Sequence, residues 1–303
     1  MRKKNRYVLL NISSILEYVF FAIAIISFSI IGAKNIVTLD DNADLTRYLS
    51  SSSDLIEQFS EPLSSIIFDY IYSISNGLEL PWLLPALVAF AVYSTIFFSK
   101  PKSTTLKFFW YVSLVPTLSL INVRNGLIFF FVPFLPALAV IWTGLFLHWS
   151  YFLLLASRFY KSIIFWIIFG ASILIFSLAV FDLSSIANKI LHYVGDDNDP
   201  DYGVGLFIYL SLLWFGLRSA YISTGVSPSV LDSIFGLALL LASIGLPVPS
   251  GRLAYFTIIL SLIELRGKEL SKFSGLSRAA LLLSAIFQVY FFGRMTNIVS
   301  WNI

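Results

Sequence analysis

Pro249-Ser-Gly-Arg-Leu-Ala-Tyr-Phe-Thr-Ile-Ile-Leu-Ser-Leu-Ile263 sets a cation, Arg252, at the mouth of an apolar run that belongs in lipid. Arg124 stands in the same way ahead of the run that starts at Gly126, and Arg294 follows the run from Ala280 to Tyr290. Composition agrees with a membrane setting. Hydrophobic residues make up 58% of the 303 and charged residues 12%, where an ordinary globular chain carries about 25% charged. Mean hydropathy is +0.85. The 29 Phe, 15 Tyr and 7 Trp suit helices packed in lipid and anchored at both interfaces. The absence of Cys excludes disulfides and thiolate metal sites, and 2 His exclude a His-rich metal site.

Laying out the apolar runs predicts an all-α, polytopic integral membrane protein forming a single membrane-embedded domain over 1–303, with about nine crossings. The basic start Met1-Arg-Lys-Lys-Asn-Arg6 precedes a retained first helix from Ile15 to Ala33, with no convincing cleavage site after it. An acidic external loop, 34–79, carries Asp40, Asp41, Asp44, Asp54, Glu57, Glu61, Asp69 and Glu79, and within it 62–74 reads as an amphipathic helix on the surface. Further crossings are expected at Pro81–Phe98, Phe108–Ile121, Ile163–Phe181, Gly203–Leu217, Ser229–Leu246, Leu253–Ile263 and Gly275–Phe292, with a second acidic external loop at 182–202. The stretch Gly126–Ser157 is too long for one crossing and short for two. Pro133, Pro136, Gly144 and His148 interrupt it, so it is either broken or partly re-entrant. A single crossing there puts Lys100, Lys102, Lys107, Arg158, Lys161, Arg218, Arg266, Lys268 and Lys272 with the amino terminus on the cytoplasmic side.

That map leaves Arg47, Arg124, Arg252 and Arg294 on the outer side, where the charge rule puts few. Arg252 follows Pro-Val-Pro-Ser-Gly, which reads as a turn feeding a helix amino terminus. Unpaired N–H groups beside a guanidinium make an anion site; the alternative is an arginine snorkelling to headgroups. Arg124 lies in the polar turn Asn122-Val-Arg-Asn-Gly126, where Asn122 and Asn125 add uncharged hydrogen-bonding capacity to a fork suited to phosphate. Arg294 is equally a helix stop or a third cation. In Asp40-Asp-Asn-Ala-Asp-Leu-Thr-Arg-Tyr48, carboxylates and an aromatic can meet a sugar, and Asp44 or Asp41 can take a proton from a hydroxyl; a solvated acidic loop is the alternative. His148 and Ser150 point in different directions on a helix and make no hydrolase pair, and there is no Gly-x-Ser-x-Gly elbow. His148 is either hydrogen-bonded across helices or binds substrate. Gly195-Asp-Asp-Asn-Asp-Pro-Asp-Tyr202 lacks the spacing of an EF-hand.

The order of Asp41-Asn-Ala-Asp-Leu-Thr-Arg-Tyr48, Glu61-Pro62, Asn122-Val-Arg-Asn-Gly-Leu127, His148-Trp-Ser150 and Ser250-Gly-Arg-Leu-Ala-Tyr255 resembles the EpsG family of exopolysaccharide proteins, functionally similar to Wzy-type O-antigen and capsule polymerases. The resemblance extends from about Tyr18 to Arg294 and rests on order and spacing. It implies a metal-independent glycosyltransferase with a helical membrane core in the bacterial inner membrane, its site facing outward or into the periplasm. Donor and acceptor would be undecaprenyl-diphosphate-linked glycans, with membrane lipids around them and a chain-length regulator and a flippase as neighbours. No cofactor and no nucleic-acid partner are implied. The resemblance makes Arg124 and Arg252, with Asp44, the catalytic candidates, and Arg294, Arg47, Asp41, Tyr48, Asn122, Asn125, His148 and Tyr255 the substrate-binding ones. Rival readings are a transporter of lipid-linked oligosaccharide, which should show paired internal repeats, and a non-catalytic or acyl-transferring envelope protein.

Overall fold

The computed structural model describes residues 83–99, 103–120, 122–148, 151–159, 161–168, 170–171, 202–268 and 274–295, with isolated positions at 19, 22, 23 and 26 and between 63 and 74. The principal elements are α1 (Leu83–Phe98), α2 (Thr104–Leu120), α3 (Val123–Leu127) running into a 3-10 turn (Ile128–Phe130), and α4 (Ala137–Leu147). They continue as α5 (Phe152–Phe159), α6 (Tyr202–Ser223), α7 (Ser229–Ser243), α8 (Pro247–Leu265) and α9 (Gly275–Met295). The all-α class holds, with no strand among the described residues.

One helix, Val204–Ser223, is long and apolar enough to cross a membrane by itself. The apolar helices Ala86–Phe98, Ala137–Leu147, Ser229–Ser243 and Gly275–Gln288 are shorter. Thr104–Ser119 and Val123–Phe130 pass the same test only as a pair, and they meet at 119°. Among the described residues, helix length and composition therefore support one crossing, or two if the bent pair counts.

The opening stretch has a different environment from the one its composition suggests. Every side chain from Leu253 to Ile263 is buried by protein, because α8 packs against α2, α4, α6 and α7. A helix apolar on all sides must be covered on all sides, and here other helices provide the cover. The two aliphatic hydroxyls between Leu253 and Ile263 are satisfied locally: Thr257 Oγ1 donates to Ala254 O at 2.5 Å and Ser261 Oγ to Ile258 O at 2.7 Å.

Cross-helix hydrogen bonds fix the directions. Trp110 Nε1 donates to Ser261 Oγ at 2.9 Å, joining α2 to α8. Ser250 Oγ donates to Ala238 O at 2.7 Å, setting α7 antiparallel to α8. The Gly267 N–H donates to Ser99 O at 2.7 Å, so the carboxyl ends of α8 and α1 meet. Ser277 Oγ donates to Ser219 Oγ at 2.9 Å and Gln288 Nε2 to Ser113 O at 3.1 Å, so α9 bridges α6 and α2. The bundle thus has an Arg266 end, where α1, α6 and α8 finish and α2 and α9 begin, and an Arg252 end, where α8 begins and α2 and α9 finish.

The turns between helices follow from sequence. Gly225 and Gly245, at φ +73° and +82°, take the left-handed position after α6 and α7. The Val226 N–H then reaches back to Tyr221 O at 3.0 Å and the Leu246 N–H to Leu241 O at 2.9 Å. Both are the 6→1 bond of a glycine-terminated helix.

Candidate functional site

Arg252 is exposed, on the second turn of α8 and not at its amino terminus. Pro247-Val-Pro-Ser, expected as a turn, is the first turn of the helix, since proline suits N1, where a missing N–H costs the helix no bond. Pro247 and Pro249 have no N–H to offer, and the Ser250 N–H bonds to Leu246 O at 3.3 Å. The cluster of unpaired helix N–H groups expected beside Arg252 is therefore not present.

Arg124 is half-buried on α3. The expected polar turn is a short helix whose Val123, Asn125, Gly126 and Leu127 are buried. Gly126 permits this: a Cβ there would lie 2.2 Å from Val88 Cγ1 and 3.0 Å from Leu118 O, so α3 lies hard against α1 and α2. Asn122 is half-buried at the N-cap, making no side-chain cap bond, with its backbone N–H on Thr117 O at 2.9 Å. Asn125 is 2% exposed and its Oδ1 is buried without a hydrogen-bond partner, so it faces the core.

The Trp110–Ser261 bond sets the level of these cations. From it, α2 rises to Leu120 and α8 runs back to Arg252, about 15 Å and about 14 Å at helical rise. Arg124, just past the end of α2, and Arg252 therefore lie at the same end of the bundle. From the Gln288–Ser113 bond, the backbone of α9 climbs about 9 Å to Arg294, level with Ser119. Residues far apart in the chain thus converge on one end. Asp41, Asp44, Arg47 and Tyr48 lie outside the described residues. Among the described residues no cluster of His, Asp and Glu could hold a metal ion.

No known protein family, curated protein or solved structure matches this chain.

Tyr255, one turn below Arg252, is 1% exposed. Its ring lies 6.2 Å from Phe256, and its electrostatic neighbours are Tyr151 and Tyr209. It offers no open face for sugar stacking in this conformation, because the run around it is sealed by neighbouring helices.

The run Gly126–Ser157 is broken, as its prolines and glycines foretold. Past the 3-10 turn, a bend at Phe131–Phe134 precedes α4, and α4 and α5 form a hairpin turning at His148. The His148 N–H caps α4 on Gly144 O at 2.7 Å, and its carbonyl accepts from the Tyr151 N–H at 3.0 Å. Tyr151 packs edge-on against Phe256 with ring centroids 5.4 Å apart. His148 is half-buried at this tip. Leu63, Ile66, Trp142, Thr143 and Phe146 line an open apolar groove of about 460 Å³ along the outer side of α4.

At the Arg266 end lie polar contacts that pattern reading passed over. Arg158 forms an ion pair with Glu264, and the Arg266 guanidinium donates to Leu135 O. Partial burial lowers the Arg266 pKa from its ordinary value. Arg218 and Trp214 both meet Asp232, with Trp214 Nε1 donating to Oδ1 at 2.7 Å. The signal for the first pair was present: an acid within an otherwise apolar helix implies a partner by default.

Proposed function

We propose that this chain is a multi-pass protein of the bacterial inner membrane that polymerises lipid-linked oligosaccharide repeat units, with Arg124, Arg252 and Arg294 binding the diphosphate of the donor at the outer face. The observation that supports this most is the convergence of the three arginine positions on the Arg252 end of the bundle. A guanidinium fork matches phosphate oxygens.

In the proposed reaction an acceptor hydroxyl oxygen bonds to the anomeric carbon while that carbon's bond to the diphosphate oxygen breaks. The proton passes to Asp44 or Asp41, and the electron pair leaves with the diphosphate. Negative charge grows on the leaving oxygens, so fixed guanidinium groups lower the barrier more than they tighten binding of the ground state. One displacement inverts the anomeric carbon. The apolar groove beside Trp142 and Phe146 suits a polyprenyl or acyl chain.

The 119° break between α2 and α3, followed by the α4–α5 hairpin, favours one rival, a transporter of the same lipid-linked saccharide, because transporter sites are built from interrupted helices. Purified protein incubated with undecaprenyl-diphosphate-linked repeat units separates the two. A ladder of longer lipid-linked glycans supports polymerisation. Unchanged unit length in protein that still binds the substrate rejects it.

A further inference from the structure

The α4–α5 hairpin enters the bundle only part-way. Both ends of its base are fastened near the carboxyl end of α8, at Leu135 by Arg266 and at Arg158 by Glu264. Its tip meets α8 at Phe256, about 12 Å further along the helix from Glu264. The base is therefore at the Arg266 end, and the tip lies in the middle of the core, one turn below Arg252.

The tip is built from a close fit and a polar group. A Cβ on Gly144 would lie 2.5 Å from Tyr151 Cδ1, so the Tyr151 ring rests directly on α4. The ring is fully buried, yet its hydroxyl has no hydrogen-bond partner. A phenylalanine would fill the same space without that desolvation cost. Tyr151 and Tyr209 both neighbour Tyr255, so phenol groups from the hairpin, α6 and α8 gather at this level.

The hairpin also has the makings of a separate moving part. Its helices, Ala137–Leu147 and Phe152–Phe159, are short. The chain reaches them through the bend at Phe131–Phe134, and they are not continuous with any long helix. Segments with few packed turns open at lower cost than the core they lie against.

We propose that the α4–α5 hairpin is a movable plug, latched at its base by the Arg158–Glu264 ion pair, whose withdrawal opens the tyrosine level beneath Arg252 to water from the Arg266 end. The ion pair is the part of the latch that a substitution can release. Glu264 is the more buried partner, its side chain 10% exposed against 34% for Arg158, so removing either charge leaves the other poorly compensated.

The chain contains no Cys, so single cysteines report without background. Leu147→Cys places a thiol at the buried side of the tip, and Ala285→Cys places one in the buried face of α9, away from the hairpin. The full chain in detergent micelles is treated with a water-soluble maleimide, and labelling rates are followed by mass. Adding Glu264→Gln should raise the rate at the tip at least about tenfold while the thiol at 285 stays unlabelled. The exchange Arg158→Glu with Glu264→Arg should restore slow labelling. An unchanged rate at the tip overturns the proposal. So does a parallel rise at 285, which would mean general loosening, or an exchanged pair that stays fast. If Glu264→Gln does not fold, Arg158→Gln removes the more exposed partner and is read by the same criteria.

Discussion

Trp110 on α2 and Ser261 on α8 are joined by a 2.9 Å indole-to-hydroxyl hydrogen bond across 151 residues of chain. Both side chains are fully buried, and the bond sets the register of the two helices that place Arg124 and Arg252 at one end. Trp110→Phe removes the donor and leaves Ser261 its own bond to Ile258 O. The expected loss is about 1 kcal/mol, read as a lower midpoint of thermal unfolding in detergent. Trp110→Ala also leaves a cavity and should cost about 3–5 kcal/mol.

Gly126→Ala tests the close approach of α3 to α1. The new methyl would meet a movable Val88 methyl and an immovable Leu118 carbonyl. A destabilisation of about 1–3 kcal/mol is expected, and Val88→Ala in the same chain should recover part of it. Equal stability of Gly126→Ala and the parent in unfolding assays would contradict the packing described.

Two glycines should respond to alanine with opposite signs. Gly245 ends α7 at φ +82° with open space around its missing Cβ, so Gly245→Ala loses about 1 kcal/mol through backbone strain alone. Gly236 lies inside α7, also with nothing near its missing Cβ, so Gly236→Ala gains about 0.5–1 kcal/mol. Paired thermal melts of the two variants measure the difference.

Arg252 is exposed, so its replacement should leave the fold intact while affecting the proposed reaction. Arg252→Ala should lower the rate of glycan elongation about a hundredfold, the scale for losing one charge-stabilising group. Arg252→Lys keeps the charge but loses the two-pronged geometry, and about a tenfold loss is expected. Near-normal rates for the lysine variant, measured by glycan ladder length against time, would argue against a bidentate diphosphate contact.

The helical class and the broken character of Gly126–Ser157 were legible because apolar runs, glycines and prolines act locally, whereas α6 runs on to Ser223 past the expected Leu217 and α7 stops at Ser243 short of Leu246. The start of α8 was misjudged for a physical reason: Pro247 and Pro249 interrupt a helix interior but fit its first turn. The surroundings of Leu253–Ile263 were illegible because a run facing lipid and a run enclosed by other helices have the same composition. The Arg158–Glu264 pair is long-range, and a single sequence carries no register between α5 and α8. The common level of Arg124 and Arg252 became visible only once Trp110 was seen beside Ser261.

The enclosure of α8 also bears on the order of assembly. The helices that surround it, α2, α4, α6 and α7, all precede it in the chain. During synthesis its docking site can exist before α8 leaves the ribosome. Truncation after Arg266 therefore leaves α8 with its main neighbours, whereas truncation after Leu246 leaves those neighbours around a vacant centre. Helix α8 acts as a keystone, set after the arch that it holds.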